Sequence, residues 1–229
     1  MTTLAAPTPP PETAAPALIR DSGERFVLNG VSWDVYERLV ADLDASNDRT
    51  RLTYDDGMLE LEMPGTLHEI LIQIVSRMLE SYLRHVNVPY MPLGQMTWKR
   101  GSQRKGLEAD ACYYIQNVSQ VEALLSIDLE IHPPPDLAIE AEVTRPLIPK
   151  LAVYASLGIQ EVWHIREDLT VRPMSLVDGH YVQRDVSLAV PALTPDLLHR
   201  FLKLRATGTH FETLRLFESE LTTVFGPAK

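Results

Sequence analysis

Hydrophobic positions recur along the chain in two periods, and the period of each segment predicts its secondary structure. A spacing of three to four residues predicts helices in five segments, which are 32–43, 65–86, 145–158, 194–204 and 209–225. The second is the longest, and its apolar stripe is wide enough to lie against a sheet. The third has Pro149 near its first turn and Gly158 at its end, as helices often do.

Alternating apolar and polar residues predict strands in other segments. Residues 51–64 and 170–184 each predict a β-hairpin, because an Asp-Gly pair divides two alternating runs. Residues 91–115 predict two strands joined by a polar, basic turn, and further strands are predicted at 136–144 and 159–165. These last two enclose the third helix, which is the order of a βαβ-like unit. The predicted fold class is therefore α/β.

The beginning of the chain differs in composition from the rest. Residues 1–19 are rich in Pro, Ala and Thr and show no apolar period, so they are predicted to be a disordered tail. Residues 20–229 are long enough for one sizeable core and are predicted to form a single domain.

Charge and cysteine content narrow the classes of function. The net charge of −10 argues against a broad nucleic-acid-binding surface but leaves room for a local basic groove. The single cysteine excludes an intrachain disulfide and a Cys-rich zinc site. No apolar run approaches the roughly 20 residues of a membrane span, and no basic-then-apolar leader is present at the N-terminus. We therefore expect a cytoplasmic protein without membrane contact.

Candidate chemistry lies in the strand "LAIEAEVT", where two glutamates interrupt an apolar run. Strand alternation places Glu140 and Glu142 on one face, and in "LEADACYY" it places Glu108, Asp110 and Cys112 on one face. Neighbouring strands would then direct four carboxylates toward each other, which repel unless a cation or proton neutralises them. Oxygen ligands of this kind suit Mg²⁺ or Mn²⁺.

A lysine on the following helix extends this chemistry. Lys150 comes one residue after Pro149, and a lysine beside a carboxylate-bound metal suits phosphodiester hydrolysis. Two other interpretations stay open at this point. The glutamates of the strand could be solvent-exposed side chains without a function. A carboxylate pair could also cleave glycosidic bonds, although Lys150 and the presence of only three Trp disfavour a sugar site.

The ordered motifs resemble a known family. "RLTYDDGMLELEMPGTLHE", "GLEADACYYIQN", "PPDLAIEAEVT" and "KLAVYASLGIQEVWHI" together are similar to the Uma-two family of restriction endonucleases, over about residues 30–205. The resemblance implies the PD-(D/E)XK, restriction-endonuclease-like fold. In that fold a mixed β-sheet core is flanked by helices, and the family adds an N-terminal hairpin and C-terminal helices.

The resemblance also implies roles for individual residues. Asp110 corresponds to the aspartate of the motif, Glu140 to its acidic partner, and Lys150 to its lysine, moved onto the following helix. Glu69 is similar to the helix glutamate that assists metal binding. His68 matches a family histidine and either contacts a phosphate or a metal-bound water, or is satisfied by a backbone carbonyl at the helix entry.

Two positions depart from the usual motif. Ala109 stands where the family usually has proline, and Glu142 stands where the core motif has lysine. Glu142 is therefore interpreted as a second metal ligand or as a group that positions water. Glu108 completes the predicted set of metal ligands, with Asp110, Glu140 and Glu69.

The resulting hypothesis is an Mg²⁺- or Mn²⁺-dependent endonuclease that cleaves DNA, with a homodimer as one possible assembly. The alternative is a catalytically inactive nuclease-fold module that binds nucleic acid or a protein partner, and a glycoside hydrolase is less favoured.

The basic turn "WKRGSQRK" is either a solvated hairpin tip or a phosphate-binding lobe. His164 and Tyr154 are expected to serve packing and hydrogen bonding in the sheet and core.

Overall fold

The computed structural model describes residues 24–46, 50–142 and 148–228, which form one mixed sheet and its flanking helices. The strands are β1 (Glu24–Asn29), β2 (Arg51–Asp55), β3 (Met58–Met63), β4 (Met91–Arg100), β5 (Lys105–Tyr114), β6 (Leu137–Glu142), β7 (Glu161–Arg166), β8 (Val171–Val177) and β9 (His180–Gln183). The helices are α1 (Trp33–Ser46), α2 (Thr66–His85), α3 (Val118–Val121), α4 (Lys150–Leu157), α5 (Pro195–Thr207) and α6 (His210–Phe225). The predicted disordered tail and the predicted end of the strand at residues 143–144 lie outside the described residues.

The predicted α/β class and most predicted elements are confirmed. Both Asp-Gly pairs form hairpin turns with positive φ angles, 39° and 98° at Asp56 and Gly57 and 48° and 79° at Asp178 and Gly179. Strand β1 and the short helix α3 were not predicted. In β1 the apolar residues are at an exposed edge, with Phe26 55% exposed, so that the strand leaves little core signal in the sequence.

The sheet is organised around β5. The strand order is β1-β3-β2-β5-β6-β7-β8-β9, and β4 pairs with β5 outside this path. Strand β4 follows one edge of β5 along its whole length, whereas β2 and β6 share the other edge. Strands β6 and β7 are parallel, with Leu137 opposite Glu161, and α4 connects them, which confirms the predicted βαβ unit.

Helices bury both faces of the central strands. On one face, Leu137 and Ile139 of β6 pack in a core with α2, α5 and α6. On the other face, Ala138 packs in a core to which α4 contributes Tyr154. Glu140 lies on this second face and is only 6% exposed, so the interpretation of an exposed glutamate on a half-buried strand is wrong. Within the described residues, no helix is long and apolar enough to cross a membrane.

A β-bulge in β5 interrupts the alternation of side chains that the sequence predicts for this strand. Ala109 and Cys112, three residues apart, pack in the same core layer. The register against β4 shifts there, because Met96 is opposite Ala109 whereas Gly94 is opposite Cys112. The extra residue in β5 reverses the alternation, so Glu108 and Cys112 do not share a face. The prediction that four carboxylates meet on one face is therefore wrong.

Candidate active site

The candidate site lies at a fork in the sheet. Strand β2 pairs with residues 105–107 of β5 and strand β6 pairs with residues 111–113, so residues 108–110 have no partner strand on that edge. Asp110 is at this opening and is fully buried. Its carboxylate accepts a hydrogen bond from the backbone N–H of Ala141, 2.9 Å away, and thereby replaces a missing strand contact.

Arg51, at the start of β2, gathers the groups on one side of the fork. Its guanidinium donates a hydrogen bond to Asp110 and contacts Glu69 at 2.7 Å. His68 lies against the same aspartate, with Nε2 2.8 Å from its carboxylate. The structure therefore brings together Asp110, His68 and Glu69, as predicted, but around an arginine that sequence reasoning missed.

The neighbouring charges determine the protonation states of His68 and Asp110. Burial disfavours the charged form of His68, but the adjacent Asp110 carboxylate outweighs burial and raises the pKa of His68 to about 9. Burial would raise the pKa of Asp110, yet Arg51, Lys150 and His68 together hold it below its usual range. At pH 7 the imidazole is protonated and cannot accept a proton. His68 contacts a carboxylate, whereas both earlier hypotheses for it gave it other partners.

Glu140, Lys150 and Tyr154 form the other side of the fork. Lys150 Nζ lies 3.1 Å from Glu140 Oε2, and the Tyr154 hydroxyl donates a hydrogen bond to the other carboxylate oxygen. Lys150 is the first residue of α4, so its side chain returns from the helix to the strand, as the sequence hypothesis required. Tyr154 is buried in the core as predicted, and it also has this polar role.

Burial and the nearby Asp110 raise the pKa of Glu140, whereas Lys150 and Tyr154 oppose that increase. For Lys150, burial favours the neutral amine, but Glu140, Asp110 and Glu62 raise its pKa above the usual value. The ammonium ion is therefore charged throughout the neutral pH range.

Two glutamates of β3 complete the network, and sequence reasoning missed them. Glu62 Oε2 lies 3.1 Å from Lys150 Nζ. Arg25 of β1 bridges Glu62 and Glu60, with 2.6 Å to the latter, and Glu60 also accepts a hydrogen bond from the backbone of Ile148 at 2.6 Å. The signal was present in "LELEM", where strand alternation places both acids on one face.

Glu142 is engaged differently from Glu140. Its carboxylate lies 2.5 Å from His164 Nε2 and 3.1 Å from Arg166 Nη1, both on the adjacent parallel strand. Although burial opposes the shift, the hydrogen bond and charge of His164 and the charge of Arg166 lower the pKa of Glu142. A carboxylate that holds an imidazole in place is an arrangement suited to moving protons. His164 thus hydrogen-bonds within the sheet, as expected, but it does so at the edge of the candidate site.

Other predicted residues lie apart from this network. Glu108 accepts a hydrogen bond from Gln95 of β4 at 3.2 Å and, because of the bulge, is on the opposite face of the sheet from Glu140. In the basic turn, Lys99 pairs with Glu37 at 2.8 Å, and Lys105 pairs with Asp55. These pairings favour the interpretation of a solvated hairpin tip.

The two central carboxylates belong to Asp110 and Glu140, which the sequence predicts as metal ligands. The pairing of β5 with β6 ends where Ala111 is opposite Ile139. Asp110 precedes Ala111 in β5, and Glu140 follows Ile139 in β6. Among the described residues, no three His, Cys, Asp or Glu side chains are grouped closely enough to hold a metal ion. Mg²⁺ is commonly held by one or two carboxylates together with waters and substrate phosphates, and Asp110 and Glu140 supply oxygen donors of that type.

A comparison with known families agrees with this geometry. The model of the family described as "Uma2: Putative restriction endonuclease" matches residues 33–206. A search of the curated proteins finds no significant match. The matched range contains both sides of the fork, and the family description supports a nuclease function in broad terms. The chain therefore belongs to the Uma2 family and has a restriction-endonuclease-like fold, with a mixed sheet flanked by helices.

Proposed function

We propose that the protein is a metal-dependent endonuclease that hydrolyses phosphodiester bonds of DNA at the fork between β2 and β6. The observation that carries the proposal is the position of Lys150, with Nζ 3.1 Å from Glu140 at the opening that also holds Asp110. An aspartate, a glutamate and a lysine thus converge from three different elements, in the combination that a PD-(D/E)XK nuclease requires. Family membership supports the same function.

Asp110 and Glu140 would hold the metal ion. Mg²⁺ or Mn²⁺ bound there would polarise the phosphate and lower the pKa of a bound water. Arg51 helps to hold the pKa of Asp110 below its usual range, and Lys150 opposes the burial that raises the pKa of Glu140. Glu69 is held 2.7 Å from Arg51 and would assist from the edge of the site.

Lys150 would stabilise the charge that develops on the phosphate. It lines a cleft next to Glu140, so its ammonium group can approach a phosphate that enters the cleft. In the reaction, a water oxygen forms a bond to phosphorus, and the bond from phosphorus to one sugar oxygen breaks. The water releases a proton to solvent and the leaving sugar oxygen takes one up, so atoms and charge balance.

One observation favours a second candidate function. Both oxygens of Asp110 and both oxygens of Glu140 already accept hydrogen bonds or ion pairs from protein groups. Carboxylates that are already paired with protein groups suit a catalytically inactive module that binds nucleic acid or a protein. Such a module would show no metal-dependent cleavage.

A cleavage assay with the wild-type protein separates the two candidates. Closed circular DNA, linear duplex DNA, single-stranded DNA and RNA are each incubated with Mg²⁺, with Mn²⁺ or with EDTA. The proposal predicts that the circular DNA is nicked or linearised with metal and left intact with EDTA. Binding without cleavage under all of these conditions would support the inactive module. Cleavage of RNA alone would retain a nuclease but contradict the choice of DNA.

A further inference from the structure

A basic cleft opens beside Glu140, and the proposed function does not yet account for all of it. The cleft has a volume of about 770 Å³. Glu140 and Lys150 line one side, whereas the side formed by β7, β8 and β9 presents His164, Arg166, Arg172 and Gln183. The charged side chains that line the cleft are Arg25, Lys150, Arg166 and Arg172 against Glu140 and Glu142. This excess of positive charge is a local exception in a protein with a net charge of −10.

Strand register places Arg172 in line with the reacting end of the cleft. Glu140 is directly opposite His164 across the parallel pair β6 and β7, and His164 is directly opposite Arg172 across the antiparallel pair β7 and β8. Residues opposite each other in a sheet point to the same face. With strands about 4.8 Å apart, the backbone of Arg172 lies about 10 Å from that of Glu140.

Arg172 differs from the other arginines that line the cleft, because those arginines form ion pairs with glutamates of the protein. Arg166 pairs with Glu142 at 3.1 Å, and Arg25 bridges two glutamates of β3. The side chain of Arg172 is exposed and, within the described part of the chain, forms no hydrogen bond or ion pair. A guanidinium group has a planar set of donors that can bind both oxygens of a phosphate at once.

We propose that Arg172 binds a backbone phosphate of the nucleic-acid strand that lies in the cleft, close to the bond that is cleaved. This inference rests on the proposed function, because it takes Glu140 as the reacting end of the cleft. A distance of about 10 Å corresponds to about three nucleotides of duplex rise, so the contacted phosphate is within that range of the scissile one. Arg172 therefore anchors and orients the strand and does not take part in bond cleavage.

The test measures DNA binding and cleavage separately. A fluorescently labelled duplex is titrated with wild-type protein and with Arg172→Ala in EDTA, at several salt concentrations, and cleavage is then measured with Mn²⁺. We expect Arg172→Ala to bind about tenfold more weakly and to lower the slope of log K against log salt by about 0.9. The rate at saturating protein should stay within about twofold, because the phosphate contact is remote from the reacting bond.

Two further variants make the test specific. Arg215→Ala removes another exposed arginine, on α6, which is not among the residues lining the cleft, and it should leave both the affinity and the salt slope unchanged. Arg172→Lys should keep the salt slope and regain only part of the affinity, because an ammonium group contacts phosphate as a point charge.

The outcomes separate this inference from the proposed function. Wild-type protein that binds DNA, together with an Arg172→Ala variant that binds with the same affinity and salt slope, would overturn the role of Arg172 alone. Wild-type protein that neither binds nor cleaves DNA would overturn the proposed function, and the inference with it.

Discussion

Replacement of Lys150 by methionine tests the buried network from which the proposed mechanism is built. Methionine keeps most of the apolar stem and removes only the ammonium group. The Lys150 side chain is only 10% exposed, and its Nζ lies 3.1 Å from both Glu62 Oε2 and Glu140 Oε2. The variant therefore leaves two buried carboxylates without the cation that they share.

The expected loss of stability is large because one partner of a buried ion pair is removed. Breaking such a pair costs about 3–5 kcal/mol, which would lower the melting temperature of a domain of this size by about 6–20 °C. Without Lys150, burial and Asp110 raise the pKa of Glu140 further, so the native state takes up a proton more readily than the unfolded state. A carboxyl group whose pKa is raised in the folded protein stabilises the native state at low pH, and this stabilisation is lost as pH rises. The stability deficit of Lys150→Met should therefore be larger at about pH 8 than at about pH 5.

Chemical denaturation measures this deficit, and two variants control it. Lys203→Met removes an exposed lysine of α5 and should change stability by less than about 0.5 kcal/mol. Combining Lys150→Met with Glu62→Gln should recover about 1–3 kcal/mol, because the variant then buries one carboxylate fewer. A loss below about 1 kcal/mol for Lys150→Met, with no recovery in the double variant, would refute the reasoning. In cleavage assays on folded protein, the rate should fall by about 10²–10³.

Three further predictions concern other parts of the structure. Glu161 is fully buried, accepts hydrogen bonds from Trp163 and from the 187–189 segment, and has a pKa that burial raises. Wild type should therefore lose stability relative to Glu161→Gln as pH rises above about 4. Denaturation at several pH values measures this difference in stability, and a difference that does not change with pH would contradict the prediction. Gly106→Ala would place its methyl group on the buried Tyr36 hydroxyl and should cost about 1–3 kcal/mol, whereas Gly101→Ala, with no atom nearer than 3.8 Å, should be nearly neutral; equal stabilities would show that the space at Gly106 is not limiting. Mn²⁺ at about 100-fold over its dissociation constant should stabilise wild type by about 2.7 kcal/mol and leave Asp110→Asn unchanged in a thermal-shift assay, and an equal shift in both would remove Asp110 from the site.

Elements defined by local signals could be predicted from the sequence. The Asp56-Gly57 and Asp178-Gly179 turns require positive φ angles, which these residues adopt readily, so both hairpins were visible. The position of Lys150 followed from Pro149, which precedes the first residue of α4. These features depend on a few neighbouring residues and not on the remainder of the chain.

Features that depend on strand pairing could not be predicted in the same way. The bulge that turns Glu108 away from Glu140 is a register shift between β4 and β5, and strict alternation cannot reveal it. Arg51 reaches Asp110 only because β2 and β6 share one edge of β5. The sequence shows that Glu62 is an acid on an apolar strand. It does not show that Lys150 is its partner, because that contact depends on how α4 packs against the sheet.

The most direct test of the account is the single-turnover rate of DNA cleavage by Glu140→Gln in the presence of Mn²⁺. Glutamine can still accept the hydrogen bond from Tyr154, but it lacks the charge that would bind the metal and pair with Lys150. We predict that the rate falls at least about 10²-fold, whereas Glu167→Gln, on an exposed residue after β7, cleaves at the wild-type rate. Folded Glu140→Gln protein that cleaves DNA as fast as wild type would contradict the central claim that catalysis takes place at this fork.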